Sequence, residues 1–187
     1  MIPPDFKITT ELLYRGALIF AGIDIVFIPI LAWRIKTDTF RRFKWTLVAV
    51  TAIYWCALWA WVLYNFWDPV YQYVFPAWAR DYIPPAYGVL FAGVSLTFWW
   101  LAVRLRGNPV VNFCLLGGLW GMITHLLAIS QGILSRPPVL QTAAPVAAVI
   151  IAIFEFMFYW CVILSVTALV NLVWWKLRPV SHLKVSA

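Results

Sequence analysis

The sequence predicts an all-α integral membrane protein: a bundle of five transmembrane helices, N-terminus outside and C-terminus cytoplasmic. Three observations lead there. Of 187 residues, 64% are apolar and 11% charged, whereas a soluble domain is roughly half apolar and a quarter charged, so the apolar surface exceeds what an aqueous interior can hold. The apolar residues form long runs, such as Val146-Ala-Ala-Val-Ile-Ile-Ala-Ile-Phe154, without the alternation of a membrane barrel strand. Ten of the fourteen basic residues fall on one side of those runs, and basic residues mark the cytoplasmic side.

The first span, residues 12–33, follows Asp5, Lys7 and Glu11 and closes on Trp33-Arg34. It lacks the basic leader and small-residue cleavage site of a signal peptide and is expected to be retained. A charged turn, 36–44, with Arg34 at its edge, carries five basic residues opposed only by Asp38 and leads to the second span, 45–66. An aromatic outer connector, 67–84, is bracketed by Asp68-Pro69 and Pro84-Pro85; it should lie along the membrane interface and roof the helices beneath it. The third span, 87–103, ends at Arg104 and Arg106. A tight turn, Arg106-Gly-Asn-Pro109, places a proline at the start of the fourth span, 110–133, and Arg136-Pro-Pro138 stops it. At about 1.5 Å per residue the last span, 146–175, is roughly 45 Å long. The hydrocarbon core is only ~30 Å thick, so this helix must tilt or protrude. Lys176, Arg178 and Lys184 follow it.

Residues 1–187 thus read as a single transmembrane domain of a multi-pass protein in the plasma or endoplasmic reticulum membrane. The short loops leave no room among them for a soluble catalytic or nucleotide-binding domain. Basic residues divided among short turns do not form the contiguous patch that nucleic acid requires. No Walker loop, GxGxxG, HExxH or GxSxG is present. Cys56, Cys114 and Cys161 lie inside spans without a CxxC pattern and read as small buried hydrophobes. Two histidines, His125 and His182, are too few for a three-histidine metal site, and one of them is in the tail; no metal and no cofactor are expected.

Ionisable groups inside a span are costly and default to function. Asp24, His125 and Glu155 qualify. Counting at 1.5 Å per residue places them roughly 18, 12 and 14 Å below the outer edge, in one layer. His125 shares a helical face with Gly117 and Gly121, a small-residue stripe that lets another helix approach and turns the imidazole inward. Tyr159 lies one turn beyond Glu155. Of thirteen tryptophans, Trp33, Trp45, Trp174 and Trp175 on one side and Trp67 and Trp78 on the other suit interfacial belts. Trp55, Trp59, Trp120 and Trp160 are too deep for a belt. They are either packing bulk or, with Tyr159, the walls of a cavity whose indole faces hold a flat apolar substrate or steady a developing cation.

A carboxylic acid in hydrocarbon resists ionisation and can retain a proton to donate. The expected activity is therefore intramembrane acid/base chemistry on an isoprenoid, sterol or similar lipid, of the isomerase or cyclase type. Glu155 would be the acid, Asp24 or His125 the base, and the deep aromatics the substrate-binding wall. The partners would be membrane lipids and a small apolar substrate. The alternative is a non-catalytic subunit or assembly factor of a larger membrane complex, with membrane-protein partners and a bound lipid, quinone or pigment. A proton-coupled carrier is a third reading, weakened by the absence of ionisable residues from the inner half of the spans.

Overall fold

The structure, a computed structural model, describes residues 7–141 and 143–177. Asp5, Arg178, His182 and Lys184 lie outside them. Seven elements appear: α1 (Thr10–Arg34), α2 (Thr37–Arg42), α3 (Lys44–Phe66), a 3-10 turn (Tyr71–Tyr73), α4 (Ala79–Ala102), α5 (Pro109–Ser130) and α6 (Pro145–Leu177). No strand occurs among the described residues. Five helices, all except α2, are long and apolar enough to cross a membrane.

Local chemistry accounts for the helix ends. Thr9 caps α1 by accepting from the Leu12 amide at 3.2 Å, while Glu11 in its first turn and Arg34 in its last oppose the macrodipole. Asn108 caps α5 through the Val110 amide at 2.9 Å, with Pro109 at its first position. Asn112 then donates to the carbonyls of Ala102 and Arg106 at 3.3 and 3.2 Å, locking the α4–α5 turn.

Two segments differ from the sequence reading. The charged turn contains the one-and-a-half-turn helix α2, whose Phe40 is fully buried and receives the Trp99 indole N–H on its carbonyl at 3.2 Å. The aromatic connector ends at Trp78, not at residue 84, because α4 starts at Ala79 and runs through Pro84 and Pro85. Those prolines remove the amides that would reach the carbonyls of Arg80 and Asp81. Both residues are exposed, so the freed carbonyls can be solvated and the helix continues.

Helices α3 and α4 pack together, α4 packs on α5, α5 on α6 and α6 back on α3. This closes a four-helix ring, and α1 docks on α6 and α5. The ring is filled by aromatic side chains: Trp55 stacks on Phe91 with centroids 3.8 Å apart, and Trp160 meets Phe113 edge-on at 5.2 Å. Glycines bring α5 onto α6. A Cβ at Gly117 would enter the Trp160 indole, and one at Gly121 would strike the Ala152 carbonyl, so no larger residue allows this approach. The outward faces are apolar, as at Leu18, Ile25 and Val89, each about three-quarters exposed. At the end where α1 and α4 finish and α3 begins, cations sit over tryptophans: Arg34 on Trp33 at 4.4 Å, Lys44 on Trp45 at 4.6 Å and Arg104 on Trp100 at 4.0 Å. Basic and indole groups together suit the polar boundary of a bilayer.

Candidate functional site

At the opposite end of the bundle lies a cavity of about 600 Å³, within the usual range for small-molecule sites. Its walls come from the start of α1, the end of α3, the end of α5 and the first half of α6, with Tyr71 and the 132–145 loop at its mouth. His125, Glu155 and Tyr159 project into it from α5 and α6. Most of the remaining lining is apolar, typified by Leu13, Leu58 and Ile151.

The polar groups are oriented by short-range bonds. The imidazole Nδ1 of His125 is 3.1 Å from the Gly121 carbonyl one turn back. A carbonyl only accepts, so Nδ1 carries the proton and Nε2 is left with a free lone pair. The Tyr159 hydroxyl donates to Oε1 of Glu155, and Oε2 remains for a ligand. Glu155 and Tyr159, four residues apart, share a helix face as helical geometry requires. His125 joins them because Gly121, four residues before it, allows α5 to seat on Ala152 and Phe156. Its ring lies 6.1 Å from that of Phe156. Tyr71 closes the site from the connector. Burial, with smaller contributions from Tyr87 and Glu155, pushes its hydroxyl up to about 12, so it stays a neutral donor and an aromatic face at any ordinary pH.

No family model, curated protein or solved structure matches the chain.

The eight residues singled out from the sequence divide among three places. Glu155, His125 and Tyr159 meet at the cavity. Trp59 stands behind its Tyr71 wall, with ring centroids 5.6 Å from Tyr71 and 4.4 Å from Tyr87. Trp55, Trp120 and Trp160 do not line the cavity. They occupy the ring interior against Phe91, Phe98 and Phe113, where large flat side chains fill the space between helices.

Asp24 is the third place. It is 2% exposed and apart from the cavity, because it faces the middle of α6 while the cavity opens near the α6 start. The Asp24 Oδ1 accepts from the Cys161 thiol at 3.9 Å, Cys161 lies 3.6 Å from Cys114, and the Asp24 Oδ2 has no hydrogen-bond partner among the described residues. Of the three ionisable groups expected in one layer, two stand at the cavity and one in a sealed thiol pocket. Equal depth along a membrane normal does not imply a shared face.

Sequence reasoning missed the 132–145 loop, including Ser135 and Gln141 at the cavity mouth. Nothing local to it signals a site; it reaches the cavity through tertiary contacts, with Ile8 N–H bonded to the Val139 carbonyl at 3.0 Å and the Ala144 amide to Thr10 Oγ1 at 2.7 Å. The Cys114–Cys161 approach was also hidden, since 47 residues separate the pair. Among the described residues no group of three His, Cys, Asp or Glu side chains is placed to hold a metal ion.

Proposed function

We propose that this multi-pass membrane protein is an intramembrane isomerase or cyclase that moves protons on an isoprenoid, sterol or similar apolar lipid. The observation that carries this reading is the convergence of a carboxyl, an imidazole with a free Nε2 and a phenol on one otherwise apolar cavity. Glu155 donates its proton from Oε2 to one carbon of an alkene, or to an epoxide oxygen, leaving a carbocation. His125 Nε2 removes a proton from a neighbouring carbon, which places the double bond anew. The imidazolium then gives up that proton to water and the Glu155 carboxylate takes one from water, which restores the starting state. The base is His125 instead of Asp24, because only His125 shares the cavity with Glu155. The connector end is assigned to the outer face, as the distribution of basic residues favours.

The purified protein in lipid nanodiscs, offered a panel of polyprenyl alkenes and sterols in deuterated water, should yield an isomer carrying one carbon-bound deuterium, read by mass spectrometry; a polyprenyl epoxide should instead give an isomeric alcohol with no deuterium on carbon. Glu155→Gln keeps shape and hydrogen bonding but removes the proton, and should slow this by about two to four powers of ten. Normal turnover by the Gln variant would remove Glu155 from the acid role. Failure of that variant to fold would make Glu155 a structural anchor and favour the non-catalytic subunit reading.

A further inference from the structure

The charge inventory of the cavity is one-sided. Glu155 is the one carboxyl among its lining residues, and no lysine or arginine lines it. Arg136, in the loop at the mouth, is exposed and outside the lining. Among the described residues the ion pairs are Arg15–Glu11 and Arg41–Asp38, both elsewhere. Among the described residues Glu155 thus has no cationic partner. Aromatic residues share the lining with it: Trp61, Phe66, Tyr71 and Tyr159 all border the same space.

A single carboxyl without a counter-ion, in a cavity that aromatic rings also line, is the arrangement that selects a monovalent organic cation. Anionic head groups such as phosphate or carboxylate would find no basic residue in the lining and would be repelled by an ionised Glu155. We infer that the cavity binds apolar-tailed amines, with the nitrogen at Glu155 and the tail along the lipid-like walls. The step is a proton transfer: the O–H bond at Glu155 Oε2 breaks, an N–H bond forms on the amine, and an ammonium–carboxylate pair remains between the rings. The inference rests on the same Glu155 proton as the proposed activity, and an ammonium imitates the carbocation in that mechanism. The natural occupant can therefore be an amine lipid, or a neutral lipid that becomes cationic only during reaction.

The test uses the full chain in phosphatidylcholine nanodiscs, with tryptophan fluorescence as the readout. N,N-dimethyldodecylamine and 1-dodecanol have the same tail, and comparison of wild type with Glu155→Gln in the same discs cancels bilayer partitioning. The amine should bind wild type at least tenfold tighter than the variant, while dodecanol should show a ratio near one. Tyr71→Leu, which leaves the carboxyl in place, should weaken the amine about threefold to tenfold and the alcohol hardly at all; it serves if the Gln variant does not fold. Equal ratios for amine and alcohol in both variants would overturn the inference, whether or not lipid turnover is found. Glu155-dependent amine binding without turnover of any lipid would uphold it and count against the enzyme reading. Amine binding together with inhibition of turnover would identify the cation as a mimic of the reaction intermediate.

Discussion

Asp24 and Glu155 are carboxyl groups on helices that pack against each other, and their surroundings are opposite. Asp24 is sealed between α1 and the middle of α6, with a thiol as its hydrogen-bond donor and one oxygen unpartnered. Glu155 opens onto a cavity of about 600 Å³ with a phenol and an imidazole beside it. Burial of an acid within a membrane span therefore carries little information about chemistry until the space in front of it is known. Three consecutive residues of α6 serve the three environments: Tyr159 faces the cavity, Trp160 fills the ring, and Cys161 reaches the Asp24 pocket. The helical advance of about 100° per residue separates them.

That division is open to direct attack. The largest effect should come from Trp160→Ala, which empties a fully buried site between the two polar regions. A loss of about 3–5 kcal/mol is expected for a large aromatic truncated in a packed core, seen as a much lower unfolding temperature in detergent. A minor shift would mean that the ring interior is loose and the cavity extends into it. One position earlier, Tyr159→Phe keeps the ring and removes only the hydroxyl on Glu155. Turnover should fall about tenfold to a hundredfold, the equivalent of ~1.5–3 kcal/mol for a hydrogen bond to a charged group, with little change in melting. If melting drops and turnover does not, Tyr159 belongs with Trp160 as a packing residue.

The smallest effect should come from Asp24→Asn. The Cys161 thiol still has an oxygen to donate to, and the unpartnered oxygen becomes an unpartnered amide, so stability should change by about 1 kcal/mol or less. Turnover should stay within about threefold in the deuterium assay. A loss comparable to that of Glu155→Gln would return Asp24 to the reaction and show that the sealed pocket communicates with the cavity.

Much of the site was legible in the sequence for local reasons. Glu155 and Tyr159 share a face because they are four residues apart, and Gly117 and Gly121 announced the side of α5 that meets another helix. The separation of Asp24 from the other two was not legible, since depth along a helix says nothing about which neighbour a face meets. The deep tryptophans were ambiguous for a similar reason: ring size specifies that space is filled or enclosed, and only the positions of Phe91, Phe98 and Phe113 decide which.

The sequence by itself determined five long apolar helices, most of their approximate ends, the proline that opens α5 and the inward direction of His125. These depend on composition, period and contacts within a few residues, where the backbone leaves few choices. Tertiary structure alone decided that α1 docks on α5 and α6, that Asp24 meets a thiol 137 residues away, that α4 begins before its prolines, and that the 132–145 loop helps form the mouth of the cavity. Those outcomes depend on which helix faces meet, and many pairings of similar apolar surfaces differ little in burial. The choice falls to close shape fit, such as Gly117 against Trp160 and Gly121 against Ala152, which exists only once the helices are assembled.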